Sequence, residues 1–438
     1  MDTDLTRKVY QVFDPAPLRD AQTDLYVDLD PVRGNPNAVT HLANRILLSN
    51  KPTCQIIAGH RGCGKSTELC RLQRRLTEKC LFVVYCEADE DIDRNDVDFP
   101  EVLVAIIRQM AKQLKDQWGI SLKPGYFKDR WERLKKLLGS EVSLDQIGLE
   151  EGLLKLAMTV KSSPDARMEI RKLLDPDTAN WVTAANDVIG QAKIELVAKG
   201  FRDLVIIVDD LDKMVNRPLK EANCSTAEYL FVHREGQLTA FDCHLVYTMP
   251  ISLAYSAQEQ AIATLYGGHP EVVPMTKLAS RPPDRTPYPE GFAKFAEIIR
   301  TRLATVPASP EEVFASPEVQ DQLIRLSGGQ PRELMILIRD AIIGNGLPIA
   351  SGAVERAARD GRQAYGRQLQ AEHMPILDNV RKDGKLVRDS TNGELVRELL
   401  ESRAILQYEN DDEWYDVNPL VPPPPKPDLP QKLPRKKQ

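Results

Sequence analysis

Ile56-Ile57-Ala58-Gly59-His60-Arg61-Gly62-Cys63-Gly64-Lys65-Ser66-Thr67-Glu68-Leu69 is the stretch that decides how the chain is read. An apolar run ends in a glycine-rich turn, and a helical pattern starts at the lysine. The turn fits G-x-x-x-x-G-K-[ST] at each fixed position. Gly59, Gly62 and Gly64 let the backbone enter conformations closed to other residues and bring its N–H groups against phosphate oxygens. A helix starting near Lys65 adds the positive end of its dipole. In such a turn Lys65 reaches the β- and γ-phosphates and the Ser66 hydroxyl ligates Mg²⁺. His60, Arg61, Cys63 and Thr67 complete the expected binding loop. Its strand–turn–helix context predicts an α/β fold: a P-loop NTPase parallel sheet.

A second run, Leu204-Val205-Ile206-Ile207-Val208-Asp209-Asp210, reads as a fully buried strand with two carboxylates at its carboxyl end. Ligands of open α/β sheets sit at that end. Asp209 is expected to hold Mg²⁺ and Asp210 to orient or deprotonate an attacking water. Asp212 in the following Leu211-Asp212-Lys213 reads as a helix N-cap. Between the two runs, Leu81–Cys86 is a β-branched, aromatic strand. Helical periodicity follows over Val102–Leu114, Trp131–Leu138, Leu149–Val160 and Ala185–Lys199, interrupted by Pro164 and Pro176. This helical insert spans about residues 95–200. Downstream, Cys243–Met249 is another buried strand; Thr248 near its end is the candidate to sense the γ-phosphate. Val272–Met275 supplies a fifth strand.

The remaining organisation follows from composition shifts. Residues 1–50 form an N-terminal arm and helix: 1–35 are rich in proline and aspartate with a strand-like piece at Leu25–Val27, and Asn37–Leu48 reads as a helix. Val32 and Arg33 are candidates to cover a nucleotide base; an ordinary arm is the alternative reading. Residues 51–290 make the ATPase core, closed by the proline-rich Arg281–Pro289. A helical lid covers 291–350, with helical period at Phe292–Leu303, Glu318–Leu326 and Arg332–Ile343. Residues 351–420 read as a winged-helix-like domain: helices, then a hairpin of Ala404–Tyr408 and Trp414–Val417 around Asn410-Asp411-Asp412. Between Asn392 and Asn418 eight acids face only Arg397 and Arg403, so this module repels phosphate backbones and reads as a protein contact. The tail 421–438, with Pro422–Pro425 and Arg435-Lys436-Lys437, reads as disordered polyproline II.

Composition narrows the classes. Net charge is −6, giving no general attraction to nucleic acid or acidic membranes. The seven cysteines are odd in number with no C-x-x-C, and the six histidines lack ligand spacing, which argues against a disulfide framework or structural zinc. The N-terminus is too polar for a signal peptide, and no apolar run is long enough to cross a bilayer. A cytoplasmic protein is expected. The Cys63 thiol inside the loop could make nucleotide binding sensitive to oxidation; a small buried residue is the plainer reading.

Leu326-Ser327-Gly328-Gly329-Gln330 spells the signature of ABC-type ATPases but follows Asp209 instead of preceding it, so the ABC reading fails on order. Taken in sequence, the loop at 59–67, paired aspartates, polar sensor strand and Gly-Gly-x-Pro-Arg at the lid resemble the AAA+ and STAND ATPases. The chain looks most like origin-recognition-type initiators and bacterial STAND-like ATPases, over roughly residues 30–420. That resemblance implies that Arg332 reaches back to the γ-phosphate, with ATP and Mg²⁺ as cofactors. Aspartate at 210, where most AAA+ enzymes carry glutamate, implies slow hydrolysis. It further implies a molecular switch that assembles as a homo- or hetero-oligomer and acts with a separate effector or client protein, in anti-phage defence. A DNA-associated initiator or transposition ATPase and a nucleotide-stabilised scaffold without turnover are the alternatives. Arg217, Arg234, Arg281 and Arg285 are all candidates for an arginine finger.

Overall fold

The computed structural model describes residues 3–18, 20–34, 38–123, 149–389, 391–410 and 412–423. The helix expected over Trp131–Leu138, and the tail beyond residue 423, lie outside these. Five strands build the central sheet: β1 (Cys54–Ala58), β2 (Leu81–Glu87), β3 (Asp203–Asp209), β4 (His244–Met249) and β5 (Glu271–Val272), in the order β2-β3-β4-β1-β5 and all parallel. Alternation along β3 explains why its sequence is uniformly apolar. Leu204, Ile206 and Val208 enter one core layer with the helical insert, while Val205 and Ile207 enter the layer beneath the loop helix. A strand buried on both faces has no room for a polar residue until its end. Each such Val, Leu or Ile contributes roughly 1.5–3 kcal/mol of burial.

β2 is an edge strand, and edges invite pairing with other chains. Here the Gln113 side chain occupies part of that edge: it donates to Tyr85 O (2.8 Å) and accepts from Tyr85 N (3.1 Å). Gln113 belongs to Phe99–Trp118, whose Asp98/Glu101 capping box starts it cleanly. With Leu149–Ser162, Pro164–Leu174 and Thr178–Ala198 this helix forms the insert. Pro164 does not break a helix; it begins one, with the Ser163 hydroxyl accepting from Ala166 N.

Lid helices Pro289–Leu303, Pro317–Leu326 and Pro331–Asn345 likewise all begin on proline. That residue loses nothing in the first turn, where its N–H would be unpaired anyway. Ser351–Gln368 packs on the last of them. The C-terminal module consists of helices Met374–Asp383 and Gly393–Glu401 and an antiparallel hairpin, β6 (Ile405–Glu409) and β7 (Glu413–Val417). The architecture is thus α/β, with a helical insert, a helical lid and a winged-helix-like C-terminus.

Three details depart from the sequence reading. Thr3–Val12 is a helix whose Val9, with Phe13 just beyond, enters the lid core. Leu25–Val27 forms no strand: a 3-10 turn covers Asp20–Leu25, and Val27 and Leu29 bury against the lid. Val421, the first residue of the expected tail, is buried, and Pro422 O accepts from Arg381.

Candidate functional site

β1 delivers the chain into the loop, and the loop helix Lys65–Thr77 leaves it with Gly64 as N-cap at φ 107°. Gly62 also has positive φ, 88°. Side chains there would be strained, and space is lacking too. A Cβ on Gly62 would lie 3.1 Å from Arg332 Cβ, and one on Gly64 2.9 Å from an Arg33 guanidinium nitrogen. The loop glycines therefore serve close approach as well as conformation.

Lys65 is buried and folds over the loop, donating to Gly59 O (2.7 Å) and His60 O (3.0 Å). Its Nζ pairs with Asp212 Oδ2 at 2.9 Å. Burial works against the ammonium, but Asp212, with Cys63 and Asp209, outweighs it and holds the pKa above the usual lysine value. Asp212 is thus the charge partner of Lys65 and not an N-cap; the cap position belongs to Asp210, which makes no side-chain cap bond. A further acid three residues beyond the strand end was the available signal.

Asp209 sits at the end of β3, accepting from Tyr85 Oη (2.7 Å) and Asp210 N (2.7 Å), and the Ser66 hydroxyl hydrogen-bonds it as well. Burial, then the nearby Asp212, pushes its carboxyl above the ordinary range. Carboxylate oxygens of Asp209, Asp210 and Asp212 all lie within 4.8 Å of one another. Oxygen donors of that kind, with a hydroxyl beside them, suit a hard cation such as Mg²⁺.

Asp210 faces the other way. Its backbone is left-handed (φ 71°), its Oδ1 lies 2.5 Å from Lys213 Nζ, and its carboxyl hydrogen-bonds Asp89. Lys213 also bridges to Asp89 Oδ2 at 3.1 Å. Burial and Asp209 push Asp210 up to about 7. For Asp89, burial is outweighed by Arg94, Asp210 and Lys213, which hold it at about 2. Thr248 is fully buried beneath this turn: its hydroxyl accepts from Leu211 N (3.0 Å) and donates to Val208 O (3.4 Å).

Between the loop and the lid lies a cavity of about 350 Å³. Gly62, Gly64, Lys65, Ser66, Thr67 and Asp212 line its polar end; Asp209 and Asp210 are not in its wall. Arg332 comes from the first turn of the third lid helix, its N–H reaching Gly62 O at 3.5 Å. The far end is apolar, made by Leu18, Leu25, Val27, Leu29, Ile298 and Met335. Sequence reasoning missed this wall because its residues come from irregular arm and distant lid. Arg33 was singled out and does line the cavity, but it acts on the loop: it pairs with Glu68 (2.8 Å) and donates to Cys63 O (2.6 Å). Arg33 Nε and Arg302 Nε are buried along this cavity with no hydrogen-bond partner among the described residues. Of the arginine-finger candidates, Arg234 is committed to Asp98 and Asp175, and Arg285 to Asp416.

No family model and no curated protein matches this chain. Solved structures do. A Walker-type ATPase of Pyrococcus abyssi is 14% identical with TM-score 0.44, covering 94% of this chain and 98% of its own. The ORC2 protein of Aeropyrum pernix is 14% identical with TM-score 0.37, covering 94% of each chain. Cdc6p of Pyrobaculum aerophilum is 11% identical with TM-score 0.39, again over 94% of each.

Proposed function

We propose that this chain is an Mg-ATP-binding molecular switch that hydrolyses slowly and acts with a separate partner protein. The observation that carries the reading is the cleft itself: a glycine-rich loop and helix N-terminus at one end, an apolar wall at the other, and a lid arginine above. Size and chemistry suit a nucleotide. Loop N–H groups and Lys65 would hold the phosphates, Ser66 and Asp209 the metal, and Arg332 the γ-phosphate. Bound there, Mg²⁺ would supply positive charge against the charge that develops on the phosphates.

Two carboxylates compete to orient the attacking water. Asp210 is the one expected from the strand end; Asp212 is the one facing the cleft. Asp210 is tied to Lys213 and Asp89, and Asp212 to Lys65. One of these ties must break before either acid serves as a base, which is the physical reason for a slow rate. Thr248 supports the turn that carries both acids.

The protein-partner reading rests on charge and on the C-terminal hairpin. Leu406, Tyr408 and Trp414 are buried against the loop-helix face, so the hairpin is engaged with the chain's own core. Its acids disfavour a phosphate backbone. Anti-phage defence is the biological setting that the resemblance suggests. Calorimetry and phosphate release on purified protein, alone and with candidate partners, test the reading. Binding and turnover are expected, both lost in Lys65→Ala. Neither activity in the wild type, or no change in the variant, would refute it.

A further inference from the structure

His60 belongs to the phosphate loop, yet its ring does not face the cleft. The side chain turns into the C-terminal module, where it is 1% exposed. Its Nε2 accepts from Gln407 N at 3.0 Å, so the ring proton sits on Nδ1, which is directed at Leu400 O at 3.2 Å. One partner is in β6, the other at the end of helix Gly393–Glu401. Burial, then the charge of Lys65, depresses the ring's pKa to about 3, so the neutral acceptor form is the one present near neutrality.

The backbone of the same residue serves the other side of the loop. His60 O accepts from Lys65 Nζ at 3.0 Å and from Cys63 N at 3.3 Å. A single residue thus grips the phosphate-binding lysine by its carbonyl and the C-terminal hairpin by its ring. The Gln407 backbone is spent on the ATPase core: its N–H goes to His60 and its C=O accepts from Met275 N (3.0 Å). Further contacts fix the same strand. Tyr408 Oη donates to Gly328 O (2.8 Å), and a Cβ on Gly34 would fall 1.9 Å from Glu409 O. None of the hairpin's described residues lines the cleft.

We propose that His60 is a positioning residue that links the docking of the C-terminal hairpin to the phosphate grip of Lys65. The linkage rests on the nucleotide-binding reading above. It deepens that reading by naming which element senses occupancy of the site. Coupling of this kind is reciprocal: if undocking the hairpin loosens the loop, a bound nucleotide tightens the hairpin by the same factor.

Hydrogen exchange and nucleotide titration on the full chain test this. In the wild type, Mg-ADP slows exchange over residues 405–409 several-fold, although those residues never touch the cleft. His60→Ala weakens Mg-ADP at least tenfold and abolishes that remote protection. His60→Gln, which keeps an acceptor for Gln407 N–H, retains most of both and separates loss of the link from loss of fold. Wild-type affinity in His60→Ala, or exchange at 405–409 indifferent to Mg-ADP in a wild type that binds it, overturns the proposal. A wild type that binds no nucleotide overturns it together with the functional reading. Exchange of the Gln407 amide without nucleotide reads the brace alone: it quickens in His60→Ala, and an unchanged rate refutes the brace whatever the ligand.

Discussion

Asp212→Asn separates charge from shape at the centre of the cleft. In the wild type the Lys65 and Asp212 side chains are each 5% exposed and 2.9 Å apart. Removing one member of a buried pair leaves an uncompensated charge, at a cost of about 3–5 kcal/mol when nothing replaces it. The amide keeps the volume and one acceptor, and Asp209 still adds negative field, so the lower end applies, about 3 kcal/mol. Unfolding entropy near 2.1 cal/mol/K per residue gives a cooperative unit of roughly 400 residues about 0.8 kcal/mol/K, so Tm falls by roughly 4 °C. A polyphosphate brings the missing negative charge and no longer has to displace a carboxylate from the lysine. Mg-ADP should therefore raise the Tm of Asp212→Asn by more than it raises that of the wild type. If about 1.4 kcal/mol or more of the loss is recovered on binding, Kd falls at least about tenfold. Thermal scans with and without Mg-ADP, with calorimetric Kd values, make the comparison. Weaker binding in the variant would refute the reasoning, because Asp212 would then be a direct ligand-holding group and not a placeholder on Lys65.

Two further predictions concern His60 and the turn at Gly329. His60 has a folded pKa of about 3, below the ordinary 6.5, through burial and then Lys65. Its contribution to stability is complete above pH 6.5 and is lost as pH falls towards 3, at up to about 1.4 kcal/mol per pH unit. Denaturant midpoints at pH 7 and pH 5 should differ more in the wild type than in His60→Gln, and equal differences would count against it. Gly329→Ala puts a Cβ 1.8 Å from Thr276 O at a backbone φ of 75°, so the turn between two lid helices must move. A destabilisation of at least about 1–3 kcal/mol is expected from the strain alone, visible as a lowered midpoint; unchanged stability would show that the turn relaxes freely.

Legibility in the sequence tracked how local the determinant was. The loop, β3 and the hairpin could be read because turn chemistry and burial on two faces are written in consecutive residues. The helix at Thr3–Val12 was missed even though Leu5, Val9 and Phe13 share helical spacing, because prolines and aspartates around it suggested an irregular arm. Lid helices were placed a residue or more late where the reading started them after the opening proline, as at Pro289 and Pro317. The site itself was half legible. Lys65 and Ser66, which line the cleft, are marked by their motif, whereas Asp209, marked by the same kind of signal, lies outside its wall. That Asp212 and not Asp210 borders the cleft goes with one left-handed residue at 210, and that turn is contacted by the Thr248 hydroxyl beneath it and by Lys213 and Asp89 beside it. No spacing rule encodes a contact between β3, β4 and the end of β2.

Those long-range contacts converge on one loop, and their distribution has a mechanical consequence. Gly59 is approached by Val273 after β5, His60 is held by the C-terminal hairpin, and Gly62 lies against Arg332 of the lid. Cys63 O is held by Arg33 of the arm, and Lys65 by Asp212 after β3. Five segments distant in sequence each hold or closely approach a different residue of a nine-residue turn. A phosphate entering that turn, as the proposed function requires, would compete for Lys65 and realign the loop amides, and the adjustment would be shared among these segments. Small shifts in a close-packed surround are transmitted and not absorbed. Arm, lid and hairpin would each be displaced by whatever the loop cannot give. Of the three, the hairpin is the one with no described residue in the cleft wall, so under the proposed linkage its movement would report occupancy without altering the fit of the ligand.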